Sequence, residues 1–388
     1  MRILDGIRVL DLGNFITAPL AGMLLGEMGA DVIKVEKPGE GDPFRAFKGG
    51  HYSPQYQAHN RNKRSLTLDV SRPDGLRVFD QLVATADVVL LNMRPGVETR
   101  LGLDYERLRG LNPGLVYCAI TGFGASGPYA GRPAYDNVGQ AVSGWLSLFH
   151  EGRDPRVAGP AISDALAGMH ACMGILGALV ERSRTQRGRK VEVSMLEAMI
   201  STLTEPLGTV NATSQSPGLY GRAATSQSFV VTCRDGLRLG LHLSSPQKFW
   251  QGLIQALEAP ELATEFPDRQ ARIAGYETLC ERLAERFARR DRADWIPRLT
   301  EHDVPFAPEN QLEDLAHDPQ VRHLNVFYQM RHPQHGSLTA ARRAVRYDGD
   351  NDSDFLPPPD LGEHTDTILA ELGLDTDALS ALRRQQLI

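Results

Sequence analysis

Asp164 has the setting in this sequence that most strongly indicates chemistry. It is the lone carboxylate between Gly159 and His170, in a run of small and apolar residues that predicts the start of a buried helix. Burying a carboxylate is costly unless it is paired or hydrogen-bonded. The residues alone leave two interpretations open: Asp164 is kept for its reactivity, or it caps the helix N-terminus, which is a common role for Asp. His170 falls on another face of such a helix and is interpreted as a core or interface residue.

Basic residues stand beside several predicted strands. Lys37 follows a strand that ends at Glu36, and Arg94 ends another, with Arg100 on the next turn. A basic cluster at 60–65 precedes a further strand. Because parallel sheets bind ligands at the carboxyl ends of their strands, this pattern favours a negatively charged ligand. The alternative for the cluster at 60–65 is a solvated loop.

Familiar active-site motifs are missing or out of context. Residues 122–127 match G-x-G-x-x-G, but Pro128, Gly131 and Pro133 follow where a dinucleotide fold needs a helix. We interpret this segment as a glycine-rich loop near the carboxyl edge of the sheet. The sequence contains neither G-x-S-x-G nor G-x-x-x-x-G-K-[ST], the signatures of α/β hydrolases and P-loop proteins.

His332 and His335 are the closest approach to a metal motif. Pro333 lies between them, and no neighbouring carboxylate or Cys cluster completes a ligand set. The segment is predicted to be a solvated loop, and no metal site is predicted.

The first 200 residues alternate strand and helix patterns. The predicted strands cover 7–12, 31–36, 65–70, 87–93, 115–121 and 190–193. The predicted helices cover 19–28, 73–86 and 163–182, with another from 195. Nearly continuous apolar strands separated by helices predict an α/β fold with an open, doubly wound parallel sheet.

Composition changes near residue 205. Residues 205–228 are rich in Ser, Thr, Gly and Pro, which predicts a linker and then a second domain. A hairpin of strands at 229–233 and 238–243 follows, around a turn at 235–236. Helices are predicted at 247–257 and 276–302, and a last one at 366–372.

The bulk composition excludes several classes of protein. A chain of 388 residues is long enough for two domains. The formal net charge of -6 argues against nucleic acid as a partner. Four widely spaced Cys predict reduced thiols and a cytoplasmic location. The N-terminus lacks an apolar signal-like stretch. The sequence has no run of about 18 apolar residues, so no membrane span is predicted.

Several segments together resemble the class III coenzyme A transferases, a family that includes formyl-CoA:oxalate CoA-transferase, carnitine CoA-transferase and α-methylacyl-CoA racemase. The matching pieces are LDGIRVLD at 4–11, GADVIKVE at 29–36, NKRS at 62–65, NMRPG at 92–96, NP at 112–113, GFG at 122–124, YD at 135–136 and LGEHT at 361–365. No single piece is decisive, but their order and spacing are specific and extend over nearly the whole chain.

The resemblance implies that Asp164 is a covalent nucleophile, because it occupies the place of the family's catalytic aspartate. It would attack an acyl-CoA to form a mixed anhydride and then an aspartyl-CoA thioester. The reaction would move CoA from an acyl-CoA to a free carboxylic acid. A position in the first helical turn predicts a lowered pKa for this carboxyl through the helix dipole.

The resemblance also implies a CoA-binding cleft, with CoA as substrate and no permanently bound cofactor. Ile16 and Thr17 would lie beside the nucleotide, Lys37 at its phosphates and Leu68 against adenine. The pantetheine and phosphate path would be lined by Asn92, Met93, Arg94 and Arg100, and residues from Arg132 to Tyr135 would close over the thioester.

The family's architecture implies an interlocked homodimer, in which each chain threads through the other. The large domain would begin with 1–200, followed by a linker at 201–224 and a smaller α+β domain at 225–325. Residues 326–388 would return to the large domain. Partners would be acyl-CoA and small carboxylic acids, with no nucleic acid and no membrane.

Two departures from the family pattern bear on activity. Racemase members carry a catalytic His where this sequence has Tyr135, and a phenol with a pKa of about 10 is a poor proton shuttle. The linker has Gly218 and Gly221 but not the glycine run of oxalate-specific members. A transferase is therefore favoured, and the alternatives are an acyl-CoA racemase or epimerase and a non-catalytic CoA-binding protein.

Overall fold

The computed structural model describes residues 3–47, 50–149, 156–243, 247–349 and 355–388. The chain forms two compact units. The first comprises Met1–Ser147, Asp154–Thr204 and Leu324–Ile388, and the second comprises Leu148–Arg153 and Glu205–His323.

The described part of the first unit is built on a six-stranded sheet in which all neighbouring strands are parallel. Its strands are β1 Arg8–Asp11, β2 Asp31–Glu36, β3 Lys63–Thr67, β4 Val88–Leu91, β5 Val116–Thr121 and β6 Lys190–Ser194. Their spatial order is β3-β2-β1-β4-β5-β6, so the chain winds outward in opposite directions from β1 and β4. The loops that follow β1 and β4 therefore diverge, which opens a crevice at this switch point. The predicted parallel sheet is confirmed.

Both faces of the sheet are buried. In β4, Val88 and Leu90 enter one core and Val89 and Leu91 enter the other, as the two-residue period of a strand requires. The described α-helices between Thr17 and Ile200 are α1 Thr17–Glu27, α2 Pro54–Gln57, α3 Pro73–Thr85, α4 Val97–Arg100, α5 Tyr105–Leu111, α6 Asp136–Val142, α7 Ile162–Thr185 and α8 Met195–Ile200. Helices α1, α7 and α8 cover the first face, and α3 and α5 cover the second.

Helix α7 approaches α1 closely because of its small residues. A Cβ atom added at Gly168 would lie 2.7 Å from the carbonyl oxygen of Thr17, so only glycine permits this spacing. By length and composition α7 could also cross a membrane. Its face formed by Ala167, Ala171 and Ile175 is nevertheless buried in the core, as in an ordinary core helix.

The second unit has its own core, centred on Leu253, Leu279 and Phe287. Its described strands form an antiparallel sheet of β7 Ser228–Thr232, β8 Arg238–His242 and β9 Phe306–Pro308. Its described helices are α9 Thr204–Thr213, α10 Gly221–Ser226, α11 Gln247–Leu257, α12 Glu261–Glu265, α13 Arg269–Ala274, α14 Tyr276–Phe287, α15 Arg292–Glu301 and α16 Pro319–His323. The predicted hairpin is present, while the helix predicted at 276–302 is divided into α14 and α15. Helices α9 and α10 begin within the segment predicted as a linker.

The last segment of the chain belongs to the first unit. An antiparallel hairpin of β10 Phe327–His332 and β11 Gly336–Ala341 is followed by helices α17 Thr365–Glu371 and α18 Thr376–Arg384. Ser65 and Thr67 of β3 bond to the start of α17: His364 N donates to Ser65 O at 2.9 Å, and Thr67 N donates to Thr365 Oγ1 at 3.0 Å.

Candidate active site

A cavity of about 210 Å³ opens at the switch point between β1 and β4, within the first unit. Its walls come from the loops that follow β1, β4 and β5, together with the beginnings of α7 and α8. The lining residues are Asn14, Phe15, Ile16, Thr17, Asn92, Met93, Arg94, Pro95, Ile120, Thr121, Gly122, Ala130, Arg132, Ala134, Tyr135, Asp164 and Met195. Asp164 is the only carboxylate among these lining residues.

The N-terminus of α7 is capped by Asp136 from another helix. Its Oδ1 accepts hydrogen bonds from the backbone N–H of Ser163 at 2.8 Å and of Asp164 at 3.4 Å. Gln140 Nε2 donates to the other oxygen at 2.6 Å and holds the carboxylate in place. Across the described residues, the side chain of Asp164 makes no hydrogen bond or ion pair. The capping role is therefore filled by Asp136, and Asp164 is left facing the cavity.

The pKa of Asp164 is raised from 3.8 to about 7, first by burial and second by the negative charge of Asp136. The predicted lowering of this pKa is wrong, because burial and a like charge outweigh the helix dipole. A carboxyl group with such a pKa is partly ionised at neutral pH.

Close packing between α6 and α7 sets the position of Asp164. A Cβ atom added at Gly139 would lie 2.1 Å from Ser163 Oγ and 3.4 Å from Met195 Cβ. Both neighbours are buried. The absence of a side chain at Gly139 therefore lets the first turn of α7 sit against α6.

The structure brings most of the predicted site residues together. Ile16, Thr17, Asn92, Met93, Arg94, Arg132 and Tyr135 all line the cavity with Asp164. Lys37, Leu68 and Arg100 do not. Lys37 and Arg100 are exposed, and Lys37 pairs with Glu40 at 2.5 Å. Leu68 is 1% exposed and packs in the core, so an adenine ring could reach its side chain only if neighbouring residues moved.

Two arginines give the cavity its positive charge. Arg94 and Arg132 are both exposed, and no ion pair to either occurs in the described part of the chain. The Arg132 guanidinium lies over the ring of Tyr129, 4.0 Å from its centroid. Unpaired guanidinium groups beside a cavity attract phosphate and carboxylate groups.

Sequence reasoning missed the parts played by Asp136, Asn14, Phe15 and Met195. Asp136 belongs to the quoted YD segment, yet its contact with α7 joins residues 27 positions apart. The signal that could have found it is the absence of Ser, Thr, Asp or Asn at Ala161, where α7 needs a cap.

The basic cluster at 60–65 does not form an anion clamp. Lys63 is buried and pairs with Asp11 at 2.8 Å, and its pKa is lowered to about 8, first by burial. Arg61 pairs with Glu27 at 2.6 Å, and Arg64 with Asp31 at 2.6 Å. The hypothesis of a clamp and the alternative of a solvated loop are both wrong, because internal carboxylates already neutralise these cations.

The prediction of a solvated loop at His332 and His335 is correct for His335, which lies in the exposed turn between β10 and β11, and wrong for His332, which ends β10. His332 is 2% exposed, and His335 stacks on Tyr52 with 3.7 Å between ring centroids. With Asp360 they form a group whose ligand atoms lie within 4.8 Å of one another, which the sequence did not predict. However, His332 Nδ1 accepts hydrogen bonds from the backbone N–H groups of Gln334 and His335. In neutral imidazole the proton then sits on Nε2, which is the nitrogen that faces Asp360 and would have to bind a metal.

A parallel α/β fold with a cavity at its switch point and a carboxylate inside is the architecture of a ligand-binding enzyme. The model of CoA-transferase family III matches residues 4–365. Succinyl-CoA:glutarate CoA-transferase from Mus musculus is 33% identical over 393 residues, which cover 98% of this chain and 89% of that protein. Formyl-CoA:oxalate CoA-transferase from Rhodopseudomonas palustris (strain BisA53) is 29% identical, with 96% of this chain and 93% of that protein covered.

A solved structure is similar along the same length. The crystal structure of a CaiB/BaiF family protein from Brucella suis has a TM-score of 0.84 and 33% identity, covering 95% of this chain and 99% of that chain. The chain belongs to CoA-transferase family III. The predicted family and enzyme class are confirmed.

Proposed function

We propose that this enzyme moves CoA from an acyl-CoA donor to a free carboxylic acid, with Asp164 as the covalent nucleophile. The observation that carries the proposal is the state of Asp164: its carboxylate faces the cavity and the helix cap is provided by Asp136 instead. A carboxylate that has no structural partner at a ligand-binding edge is available for reaction.

The proposed reaction proceeds through two anhydrides. An oxygen of Asp164 attacks the thioester carbon, the C–S bond breaks, and CoA leaves as thiolate while a mixed anhydride of Asp164 and the donor acid forms. The thiolate attacks the Asp164 carboxyl carbon, which releases the donor acid and forms an aspartyl-CoA thioester. The acceptor carboxylate attacks this thioester, the C–S bond breaks and releases CoA thiolate again, and a second mixed anhydride forms. The thiolate then attacks the acceptor acyl carbon, and Asp164 is regenerated without net proton transfer.

The charges in the cavity support acidic substrates. Arg94 and Arg132 are unpaired within the described chain, and both line the same cavity as Asp164. They would attract the phosphates of CoA and the second carboxylate of a dicarboxylic acid. The relatives described above act on succinyl-CoA with glutarate and on formyl-CoA with oxalate. We therefore assign small dicarboxylic acids as the acceptor class.

The direct test combines turnover with detection of the intermediate. Purified protein is incubated with succinyl-CoA and a panel of carboxylic acids, and new acyl-CoA species are separated by liquid chromatography. Mass spectrometry of the peptide that contains Asp164 should show a gain of CoA minus one water. Asp164→Asn should abolish both signals. The matched control is Asp74→Asn, which makes the same change in the first turn of α3 and outside the cavity. Full turnover by Asp164→Asn would overturn the mechanism.

We also propose that the enzyme is a homodimer. Met169, Met173 and Val180 share one face of α7 and are 49%, 61% and 61% exposed. Apolar side chains repeated along a helix face at this exposure fit a surface covered by a second copy. Light scattering after gel filtration should give the mass of two chains, and the mass of one chain would contradict the proposal.

A further inference from the structure

In the loop between β1 and α1, side chains bond five of the six backbone polar groups of residues 13–15. Gly13 N donates to Asp11 Oδ1 at 2.8 Å, and Gly13 O accepts from Lys34 Nζ at 2.7 Å. Asn14 N donates to Asn92 Oδ1 at 3.0 Å, and Asn14 O accepts from Asn92 Nδ2 at 2.7 Å. This loop forms one wall of the active-site cavity.

Phe15 is held in a conformation that residues with a Cβ atom avoid. Its φ is 62°, in the left-handed region. Its backbone N–H donates to Asp42 Oδ1 at 3.1 Å. Asp42 in turn pairs with Lys34 at 3.0 Å, and both side chains are fully buried. A buried ion pair therefore holds the backbone of Phe15 in its strained conformation.

The strained loop places an aromatic ring at the wall of the cavity. The Phe15 ring meets Tyr135 edge-on with 5.7 Å between centroids, and Phe44 at 5.2 Å. Tyr135 directly precedes Asp136, which caps the helix of Asp164. The shape of the loop is thus connected through these contacts to the wall that faces the nucleophile.

We infer that Asn92, Lys34 and Asp42 are positioning residues that hold the loop in its strained form for acyl transfer. The inference rests on the proposed function, and it changes the role of Asn92. The side-chain amide of Asn92 was expected to contact CoA, but it is occupied by Asn14 and by Thr17 Oγ1 at 2.8 Å. Asn92 therefore acts through the loop.

The chain offers a matched control for Asn92. The Asn112 amide also clamps backbone: Nδ2 donates to Val83 O at 3.0 Å and Ala86 O at 2.8 Å, and Oδ1 accepts from Gly114 N at 3.0 Å. It lies outside the active-site cavity. Asn92→Asp and Asn112→Asp should lower the melting temperature by similar amounts. Only Asn92→Asp should lower kcat/KM with succinyl-CoA, by about tenfold or more, with kcat falling at least as much as KM rises.

A double-mutant cycle with Phe15→Gly distinguishes whether Asn92 positions the loop or contacts the substrate directly. Glycine relieves the left-handed strain and removes the ring, so the loop depends less on its clamps to adopt this conformation. The effect of Asn92→Asp on kcat should then shrink in the Phe15→Gly background. An undiminished effect, or a rise in KM at unchanged kcat, would overturn the inference, as would equal losses of kcat/KM in both asparagine variants.

A replacement pair of variants and two further measurements complete the test. If Asn92→Asp does not fold, Asn92→Ser and Asn112→Ser replace the pair with the same expected outcomes. Phe15→Gly should also melt at a higher temperature than Phe15→Ala, and equal melting temperatures would argue against strain. Calorimetric binding of CoA to each variant reports on the loop without turnover, so a protein that binds CoA but never transfers it would disprove the proposed function alone.

Discussion

The carboxylate of Asp136 accepts a hydrogen bond from the backbone amide of Asp164 at 3.4 Å, while burial first and the charge of Asp136 second raise the pKa of the Asp164 side chain. The same residue therefore orients the nucleophile and opposes its ionisation. Asp136 Oδ1 also accepts from Ser163 N at 2.8 Å, so the cap covers the first turn of the helix. Orientation and charge can be separated by mutation because Asn caps helices about as well as Asp.

Replacing Asp136 with Asn should make the enzyme active at lower pH. The acceptor oxygen for the two amides is kept, but the negative charge that helps to raise the pKa of Asp164 is lost. Since the nucleophile must be ionised, the acidic limb of the kcat/KM profile should move down from about pH 7. Asp136→Ala, which loses the cap as well, should reduce kcat at every pH. An unmoved acidic limb in Asp136→Asn would disprove the charge effect.

Replacing Asp164 with Asn should stabilise the protein at alkaline pH. The pKa is 3.8 in the unfolded chain and about 7 in the folded one, so the native carboxyl keeps a proton that the unfolded chain releases. This difference in pKa contributes fully to the wild-type free energy of unfolding below about pH 4, and the contribution is lost as pH rises toward 7. The variant has no such loss. Its advantage in unfolding free energy should grow between pH 4 and 8, to roughly 2 kcal/mol after allowance for partial exposure.

Urea unfolding of both proteins across this pH range measures that difference. Asp74→Asn is the matched control, because it makes the same replacement in the first turn of another helix, outside the cavity. A difference between Asp164→Asn and wild type that shrinks as pH rises would show that the folded-state pKa is not raised.

Adding a methyl group at Gly139 should impair catalysis. The new Cβ would lie 2.1 Å from Ser163 Oγ, so the first turn of α7 must shift and carry Asp164 with it. We expect Gly139→Ala to lose at least about tenfold in kcat/KM and to melt at a lower temperature. Gly110→Ala is the control, because a Cβ atom at that helical glycine meets nothing within 4 Å. Wild-type kcat in Gly139→Ala would contradict this account of the packing.

Removing either cavity arginine should lower the catalytic efficiency of the enzyme toward acidic substrates. Arg94→Gln and Arg132→Gln should each lower kcat/KM for dicarboxylic acceptors more than for monocarboxylic ones. The dependence of kcat/KM on salt should also become less steep. Arg109→Gln serves as the control, since Arg109 pairs with Glu106 at 3.8 Å and lies outside the cavity. Equal losses of kcat/KM for both acceptor classes would indicate that the arginines contact CoA and not the second carboxylate of the acceptor.

Much of the first unit could be predicted from local pattern. The strand at 31–36 was predicted with the bounds that the structure shows, because apolar runs flanked by turn residues determine a buried strand. In the second unit, the pattern at 247–257 likewise predicts the helix that the structure shows. The terminal helix Thr376–Arg384 was missed, although Asp375 caps it by accepting from Ala378 N at 2.9 Å. Its sequence is mostly polar, so its apolar contacts are visible only in the folded chain.

The sequence by itself determined the alternation of strands and helices, the family, and Asp164 as the candidate nucleophile. These follow from residue order and spacing, which a linear pattern records. The tertiary structure decided which charges are free. Lys63 and Arg61 are neutralised by Asp11 and Glu27, which lie far from them in sequence, while Arg94 and Arg132 face the cavity. It also decided the protonation of Asp164, because burial and the approach of another carboxylate exist only once distant segments pack together.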